Sequence, residues 1–348
     1  MSKYSEIADK LREEIKAGAY EKSGKLPTEY ELVTRFNVSR QTVRQAISSL
    51  KAEGAVYQIQ GSGTFVSKEV PADRRVESAF RNIFVICTYI SEYIFPSIVR
   101  GIESTLNGTG YRIHIAATGN KVDLERKILN DVIKLQECDG IIVEGSKTGF
   151  PNPNINLYKQ IEEMGIPVVF LHCSYQELPD SVVVGMDDRE GGRIAAKKLV
   201  EAGCKKMLGI FKSDDRQGLM RYAGFSEGIL EAGLSLDSIE LRWYTTEDTA
   251  NHGQSVLNAM ENLLRSDIDG VVCYNDQVAV ALIRDLTRRG LPIPKIVSFD
   301  DSYLCNSSPI RFESLGHRKE ELGVIAATKI RNMVEGKKET SVFLDWIV

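Results

Sequence analysis

The segment Leu26–Val66 constrains the fold of this chain more than any other stretch. Within it, a run of apolar residues recurs with the spacing of one buried helix face. The residues of that face are Val43, Ala46, Ile47 and Leu50. Ser39 precedes the run in the position of an N-cap. Arg40 and Arg44 are four residues apart, so they share another face of the same helix.

The elements around this helix follow one another in a recognisable order. A shorter helix over Glu29–Phe36 precedes it, separated by a turn at Asn37-Val38. Two short alternating strands, Val56–Gln60 and Thr64–Val66, flank the tip Gly61-Ser62-Gly63 and predict a hairpin. Helix, turn, helix and hairpin form a winged helix-turn-helix. The second helix has the dimensions to enter a DNA major groove.

Residues 4–67 resemble the DNA-binding domain of the gluconate-repressor (GntR) family of bacterial regulators. The motifs that carry this resemblance are Lys25–Glu29, Val38–Ala46, Glu53-Gly54 and Gly61–Val66. The resemblance implies contacts to bases, phosphates and the minor groove. The residues implied are Lys3, Arg40, Gln41, Thr42, Arg44, Gln60, Gly61, Ser62 and Gly63. Tyr30 stands where some family members carry an arginine, so a DNA contact from that position is not expected.

Charge is divided unevenly along the chain. The 348 residues carry a net charge of −4, but residues 1–70 hold 11 Lys and Arg against 9 Asp and Glu, a net of +2. The remainder therefore carries −6, which confines DNA contact to the first domain. The six cysteines form no CxxC pair, which indicates buried, reduced thiols. We expect a cytoplasmic protein, because no signal peptide or membrane-length apolar run is present.

After Asn82 the chain alternates short apolar runs with helical stretches. The runs are Ile83–Thr88, Ile113–Ala117, Gly140–Val143, Pro167–Leu171, Val182–Val184, Lys206–Ile210, Gly270–Cys273 and Lys295–Phe299. Strand and helix alternation predicts an α/β fold with parallel sheets buried on both faces. The number of repeats fits either one barrel or two doubly wound subdomains.

Residues 82–348 resemble the effector-binding core of lactose- and galactose-repressor (LacI/GalR) type regulators. The motifs that carry this resemblance are Arg100–Glu103, Val184–Gly192, Arg221–Phe225, Cys273–Ala279 and Val297–Asp301. It implies a core like the periplasmic sugar-binding proteins, with two doubly wound subdomains of parallel sheet. The predicted organisation is a DNA-binding domain at 1–67, a linker at 68–81 and an effector-binding and dimerisation core at 82–348. The hinges are expected near 186, 304 and 333.

Ligands of open α/β sheets bind beyond the carboxyl ends of the strands. In two facing subdomains, those ends border one cleft. The candidates for effector binding are Tyr93, Phe95, Glu144, His172, Arg221, Asp276 and Asp301. Carboxylates accept hydroxyl hydrogens, arginine donates in a fixed fork, and an aromatic ring covers the apolar face of a sugar. Structural roles are the alternative for several of these candidates. Arg221 and Asp276 would then form an ion pair. His172 would have its hydrogen bonds satisfied within the protein, and Tyr93 and Phe95 would pack in the core.

A gluconate-repressor type head on a galactose-repressor type core resembles the arabinose repressors of Gram-positive and related bacteria. This resemblance implies a homodimeric repressor that binds double-stranded operator DNA and is released by L-arabinose. The residues alone leave open another pentose, a hexose or a sugar phosphate. Neither a cofactor nor a metal is expected.

Two other classes of protein were weighed against a regulator. An enzyme would need a nucleophile, a metal cluster or a cofactor loop. The four histidines are scattered, and neither GxGxxG after the first core strand nor GxxxxGK[ST] is present. A transport-type binding protein would need an export signal and would have no use for the winged helix. Both classes are therefore disfavoured.

Overall fold

The computed structural model describes residues 3–20, 24–52, 55–59, 63–66, 80–90, 93–250, 260–264 and 267–348. The chain divides into two units, Met1–Ser78 and Ala79–Val348. The predicted linker at 68–81 lies almost entirely outside the described residues, as does the wing tip at residues 60–62. No helix in the described part of the chain is long and apolar enough to cross a membrane.

The first unit contains the predicted helices and hairpin. Its elements are α1 (Lys3–Lys16), α2 (Glu29–Phe36), α3 (Arg40–Ala52), β1 (Val56–Ile59) and β2 (Gly63–Val66). Thr28 and Glu31 form a reciprocal capping box at the start of α2. Asn37 ends that helix in the left-handed conformation, with φ of 49°. β1 and β2 pair in antiparallel fashion, so the winged helix-turn-helix is confirmed.

The three helices of the first unit share one apolar core. The buried residues of this core are Ile7, Ala8, Leu11, Leu26, Leu32, Val43, Ala46, Ile47, Leu50 and Val56. All four apolar residues predicted for the inner face of α3 are among them. Packing of α1 and α2 against that face leaves the opposite face of α3 open to a partner.

The second unit alternates strands and helices along the chain. Its first part contains β3 (Arg81–Cys87), α4 (Phe95–Leu106), β4 (Tyr111–Ala117), α5 (Val122–Leu135), β5 (Gly140–Val143), α6 (Ile155–Glu163), β6 (Val168–Leu171) and β7 (Val182–Met186). The next part contains α7 (Asp188–Glu201), β8 (Met207–Lys212), α8 (Arg216–Glu231), β9 (Ile239–Tyr244), α9 (Thr246–Ala250), the helical residues 260–264 (α10), β10 (Gly270–Cys273), α11 (Asp276–Arg288), β11 (Lys295–Asp300), α12 (Tyr303–Ser307) and β12 (Glu313–Gly316). The last elements are α13 (Lys319–Val334) and β13 (Val342–Leu344).

These strands form two separate parallel sheets. The first has the order β13-β7-β6-β5-β3-β4, and the second has the order β12-β11-β10-β8-β9. Apolar side chains are buried on both faces of each sheet. Two doubly wound subdomains are therefore confirmed, and a single barrel is excluded.

The chain passes between the two sheets after β7, after β12 and after β13. Gly316 and Ile347, which belong to the second and third of these passages, pair in an antiparallel bridge. The first passage lies at the position predicted near 186. The others lie near 317 and 345 rather than near 304 and 333, because α13 and β13 complete the first subdomain. Rotation about these passages stays a prediction.

Two glycines allow α7 and α8 to pack closely. A Cβ built on Gly192 would lie 2.1 Å from the carbonyl oxygen of Arg221, and one on Gly224 would lie 1.7 Å from that of Arg189. Real Cβ atoms do not approach backbone so closely, so larger residues would push the helices apart. The close packing brings Arg221 of α8 next to Asp188 of α7.

Candidate nucleic-acid interface and effector site

The helix α3 presents two arginines beside its N-cap. Ser39 Oγ accepts a hydrogen bond from the backbone N–H of Thr42 at 3.2 Å, so the predicted N-cap is confirmed. The side chains of Arg40 and Arg44 are 69% and 60% exposed. Guanidinium groups in this position can reach a phosphate or a base edge.

Glu29, at the start of α2, binds both arginines. Arg40 Nε donates to Glu29 Oε2 at 2.8 Å. Arg44 Nε donates to Oε2 at 3.0 Å and to Oε1 at 3.1 Å. The hydrogen bonds from Arg40 and then Arg44 outweigh partial burial and lower the pKa of Glu29. One carboxylate therefore restricts two flexible cations before DNA arrives.

The other residues predicted to contact DNA are only partly described. Lys3 is exposed on the first turn of α1, and Gln41 is exposed on α3. Thr42 is half-buried, with its hydroxyl 2.8 Å from that of Ser39. Gly63 begins β2 with φ of 120°, a conformation that favours glycine. Gln60, Gly61 and Ser62 lie outside the described residues.

In the second unit, loops at the carboxyl ends of both sheets meet across a cleft. Asn120, which follows β4 of the first subdomain, donates to Asp215 Oδ1 at 3.3 Å and to Thr246 Oγ1 at 2.6 Å in the second. The ring centroids of His172 and His317, from opposite subdomains, lie 5.4 Å apart. This is the place where a ligand of such sheets binds.

Arg221 of α8 lies beneath the ends of β10 and β11 and is only 1% exposed. Its Nε donates to Asp188 Oδ1 at 2.8 Å, and its Nη1 donates to the carbonyl oxygen of Tyr274 at 2.6 Å. A second carboxylate, on Asp300, lies 3.8 Å from Nη2. Three aromatic rings have their centroids within 4.9 Å of the guanidinium carbon. They belong to Phe299, Tyr274 and Trp346.

The surroundings keep Arg221 charged. Burial disfavours its charge, but the carboxylates of Asp188 and Asp300 outweigh burial and raise its pKa. Burial in turn raises the pKa of Asp188 to about 6, against the opposing effect of Arg221. The pKa of Asp300 is raised for the same reason. The positive charge of Arg221 and the ionised forms of Asp188 and Asp300 therefore stabilise one another.

Glu144 and His172 lie at the ends of β5 and β6. Glu144 Oε2 accepts hydrogen bonds from the backbone N–H of Thr88, at 2.9 Å, and from its hydroxyl. Burial raises the pKa of Glu144 to about 7. His172 Nε2 lies 3.7 Å from Glu144 Oε1. Burial, assisted by the charge of Arg221, lowers the pKa of His172 to about 3, so the imidazole is neutral.

His317 follows β12 and faces His172. Burial and the nearby His172 and Arg221 lower its pKa well below the usual value. Among the described residues, no hydrogen-bond partner exists for either ring nitrogen of His172 or of His317. The same holds for Asp300 Oδ1. Buried polar atoms normally have partners, so this group of atoms is suited to a polar ligand.

A second polar group follows β8. Lys212 Nζ lies 2.5 Å from Asp215 Oδ2 and 3.6 Å from Asp214 Oδ1. The hydroxyl of Tyr274 donates to Asp215 Oδ2 at 3.3 Å. Asp215 also accepts the hydrogen bond from Asn120 of the first subdomain, so this second group lies on the wall of the cleft that faces that subdomain. Hydroxyl groups of a ligand would find both donors and acceptors here.

Comparison with known proteins supports each unit separately and the chain as a whole. Residues 3–66 match the family of bacterial regulatory proteins called the gntR family. Residues 81–338 match the family of periplasmic binding proteins and sugar-binding domains of the LacI family. This chain belongs to the GntR-headed regulators with a LacI-type core. It is accordingly a transcription regulator and not an enzyme.

Several relatives resemble this regulator over nearly its whole length. An arabinose metabolism transcriptional repressor of Halalkalibacterium halodurans is 38% identical, covering 97% of this chain and 91% of the relative. A repressor of the same description from Geobacillus stearothermophilus is 36% identical, covering 96% and 92%. The fold also matches a LacI-type regulator of Alkaliphilus metalliredigens complexed with D-xylulofuranose. That match has a TM-score of 0.63 and 21% identity, and covers 76% of this chain and 96% of that one.

The cleft of this regulator brings together some of the predicted effector residues but not all. Glu144, His172 and Arg221 lie together on its floor. Tyr93 adopts φ of 63°, and its hydroxyl accepts a hydrogen bond from the backbone N–H of Asp276 at 3.1 Å. Phe95 is 5% exposed and packs in the core of the first subdomain. Tyr93 therefore links the subdomains, whereas Phe95 takes the structural role left open for it.

The carboxylates of Asp276 and Asp301 do not face Arg221. Asp276 Oδ2 accepts hydrogen bonds from the N–H and hydroxyl of Ser302 at 2.7 and 2.8 Å, and Oδ1 accepts one from Ser314 Oγ at 2.6 Å. Asp301 is exposed, and its backbone carbonyl accepts a hydrogen bond from Lys319. Its neighbour Asp300 is the residue beside Arg221. The geometry thus favours Asp300 in place of Asp301.

Several polar residues of the cleft were absent from the sequence-based set. They are Asp188, Lys212, Asp215, Tyr274, Asp300 and His317. Most of them lie at the end of a strand that is longer than predicted or was not predicted. Lys212 ends β8 two residues beyond the predicted end, and His317 follows the unpredicted β12. For Lys212, Asp300 and His317, correct strand ends were the signal that would have found them.

Proposed function

We propose that this regulator is a cytoplasmic repressor that binds operator DNA as a homodimer and is released by L-arabinose. The observation that carries the proposal is the group of buried polar atoms in the cleft that lack a hydrogen bond among the described residues, on His172, His317 and Asp300. These atoms are suited to a small ligand with several hydroxyl groups. The names of the similar repressors support arabinose as that ligand.

The proposed operator contacts come from α1, α3 and the wing. Arg44 and Arg40 supply base or phosphate contacts, with their directions restricted by Glu29. The remaining proposed contacts are Lys3, Gln41, Thr42, Gln60, Gly61, Ser62 and Gly63. Exposure of Lys3, Gln41 and the two arginines supports this assignment.

The proposed effector contacts come from both walls of the cleft. Those of the first subdomain are Glu144 and His172, with Tyr93 at the edge. Those of the second subdomain are Arg221, Asp300, His317, Lys212, Asp215 and Tyr274. Rings of Tyr274 and Phe299 beside Arg221 offer an apolar surface to one face of a sugar.

The charges of the cleft favour a neutral effector over a sugar phosphate. The cations Arg221 and Lys212 are already paired with carboxylates. Their partners include Asp188, Asp300, Asp214 and Asp215. A phosphate would add negative charge among these carboxylates, and both Arg221 and Lys212 already have carboxylate partners.

Release of DNA requires that the sugar bind one state of the dimer better than the other. We propose that the sugar favours the closed cleft and that rotation of the subdomains alters the spacing of the two heads. Dimerisation is assigned to the outer faces of α4 and α11. A groove between α4 and β4, lined by Leu106, Ile113 and Ile115 together with the polar Glu103 and Asn107, supports the α4 face as part of the contact.

A thermal-shift screen of the full chain tests the effector. L-arabinose should raise the melting temperature, because a ligand that binds only the folded state stabilises it. The same screen includes, each on its own, D-xylose, D-ribose, D-galactose and arabinose 5-phosphate. A shift with the phosphate but not with any neutral sugar contradicts the proposal.

Operator release tests the coupling of the two units. Duplexes selected by the protein from a random library should bind in a gel-shift assay and dissociate when L-arabinose is added. Arg44→Ala should abolish binding to DNA while the thermal shift with sugar persists. Arg221→Met should give the reverse, namely a repressor that binds DNA and does not respond. Loss of both activities in a variant that still unfolds cooperatively contradicts this division of roles.

A further inference from the structure

A lysine at the rim of the cleft joins the two subdomains. Lys147 lies in the loop after β5, with φ of 51°, and its side chain is only 18% exposed. Its Nζ donates to Asp214 Oδ2 at 3.1 Å and to both carboxylate oxygens of Glu247 at 2.7 Å. Both acceptors belong to the second subdomain. Burial disfavours the charge of Lys147, but these hydrogen bonds outweigh it and raise the pKa of the lysine.

The loop that carries Lys147 is fixed from beneath by a buried carboxylate. Glu125 of α5 is fully buried and accepts five hydrogen bonds. The donors are the N–H of Ser146, the amides of Asn152 and Asn154, and the hydroxyls of Tyr158 and Tyr175. The backbone N–H of Lys147 itself donates to Asn120 Oδ1 at 2.7 Å. The loop is thus rigidly placed.

The acceptor on the opposite rim is equally well fixed. Asp214 is fully buried, and its Oδ2 also accepts a hydrogen bond from the backbone N–H of Thr246 at 2.9 Å. Two hydrogen bonds donated by backbone N–H groups join the rims beside it. Gly149 N–H donates to the carbonyl oxygen of Asp214 at 3.1 Å, and Arg216 N–H donates to Thr148 Oγ1 at 3.1 Å. Opening of the cleft at this rim must break these contacts together.

We propose that Lys147 is a positioning residue that clasps the two subdomains in the closed form and so raises effector affinity without contacting the effector. The inference rests on the proposed function, because closure matters only if a ligand occupies the cleft. A contact present only in the closed form adds its free energy to the preference for that form. The clasp therefore slows release of the ligand.

Calorimetry on the full chain with L-arabinose tests the clasp. Lys147→Met should weaken binding about tenfold, within the usual range for coupling between sites. Stopped-flow tryptophan fluorescence should assign the change to faster dissociation. The control is Lys127→Met, which removes an exposed lysine on α5 of the same subdomain. Equal affinities for the wild type and Lys147→Met overturn the proposal.

A double-mutant cycle separates a clasp from a direct contact. Glu247 is 63% exposed, so Glu247→Gln removes one partner of the clasp with little effect on packing. In the Glu247→Gln background, Lys147→Met should weaken binding less than it does in the wild type. Lys147→Arg should retain most of the affinity. Strict additivity in the cycle would show that Lys147 acts on the effector itself, and it would overturn the proposal.

Hydrogen exchange of the free chain tests the clasp independently of the effector. Lys147→Met should increase exchange at the N–H groups of Gly149 and Arg216, which bridge the rims. Lys127→Met should leave both unchanged. If calorimetry shows no binding of L-arabinose to the wild type, the proposed effector is wrong. Exchange at the N–H groups of Gly149 and Arg216 still tests the clasp in that case. Unchanged exchange in Lys147→Met overturns it.

Discussion

The arginines proposed to act in this chain are all paired with carboxylates, but in different surroundings. Arg40 and Arg44 share Glu29 at the surface, whereas Arg221 meets Asp188 away from water. An exposed ion pair contributes only about 0–1 kcal/mol. Removing one partner of a buried pair costs about 3–5 kcal/mol. The pairs of the head therefore serve orientation, and the buried pair holds the cleft together.

Glu29→Gln tests orientation in the head. Without the charge, the side chains of Arg40 and Arg44 become more mobile, and the head gains one unit of positive charge. We expect weaker binding to the selected operator and tighter binding to random DNA, because phosphate attraction is independent of sequence. Anisotropy titrations with both duplexes at matched salt measure the ratio. An unchanged ratio contradicts the role given to Glu29.

Glu144→Gln tests the buried carboxyl group of the cleft. Burial raises its pKa from about 4.5 to about 7, so the folded state binds an extra proton between those values. The contribution of Glu144 to stability is therefore full at low pH and is lost as pH rises through this window, a change on the order of 3 kcal/mol.

The pH effect is measured as a difference between two proteins. His172 contributes the opposite slope, because its lowered pKa destabilises the folded state as pH falls below about 6.5. The wild type should therefore lose unfolding free energy relative to Glu144→Gln between pH 5 and pH 8. Parallel stability curves for the two proteins contradict the raised pKa.

Single residues of the cleft were harder to predict than its position. Asp300 and Asp301 adjoin at the end of β11, and both have positive φ, at 95° and 39°. Alternation along a strand assigns faces only while the backbone stays extended. Where it turns, sequence cannot decide which of two adjacent carboxylates faces inward. Arg221 was found because its motif identified the helix that carries it.

At the scale of elements, the sequence predicted the central strands of the second unit and the edge strand β4, but it missed three other edge strands. The strands β9, β12 and β13 were not predicted, and each lies at the edge of its sheet. Edge strands have one neighbour and keep polar residues, as in Ile239–Tyr244 and Glu313–Gly316, so they lack a continuous apolar run. Central strands such as Gly140–Val143 and Val168–Leu171 are buried at every position.

Gly224→Ala tests how helix packing places the cleft arginine. The added methyl group would lie 1.7 Å from the carbonyl oxygen of Arg189, so α7 and α8 must separate. Overpacking should destabilise the core by about 1–3 kcal/mol. Because Arg221 of α8 bonds Asp188 of α7, we expect effector affinity to fall as well.

Ala223→Gly is a control for general weakening of α8. It lowers helix propensity by about 1 kcal/mol without forcing the helices apart. Urea unfolding should show comparable destabilisation in the two variants, and calorimetry should show lost effector affinity only in Gly224→Ala. Equal affinities in the two variants contradict the link between helix spacing and Arg221.

For the whole molecule, the division of charge sets how the regulator must bind DNA. Residues 1–70 carry a net charge of only +2, and the remainder carries −6. A weakly basic head makes few phosphate contacts and has modest affinity alone. In a dimer, binding of one head raises the effective concentration of the other head at the second half-site. Affinity for the operator therefore rises, provided that both half-sites can be reached together. We therefore expect operator binding to depend on a dimer formed by the core.

Ile115→Glu tests this dependence. Ile115 on the edge strand β4 is 42% exposed and borders the groove beside α4. A charge there should disfavour an apolar dimer contact, because the carboxylate would lose its hydration on association. The fold should tolerate the change, since the side chain already meets water. Sedimentation should then show monomers, operator affinity should fall by at least about 100-fold, and sugar binding should persist.

Leu124→Glu is the matched control for the dimer test. Leu124 on α5 is also 42% exposed, and it does not line the groove. This variant should remain dimeric and bind the operator as the wild type does. If Ile115→Glu is monomeric and still binds the operator with full affinity, one head suffices and the argument from charge is wrong. If both variants remain dimeric, the contact lies on another face, such as that of α11, and charges introduced there would locate it.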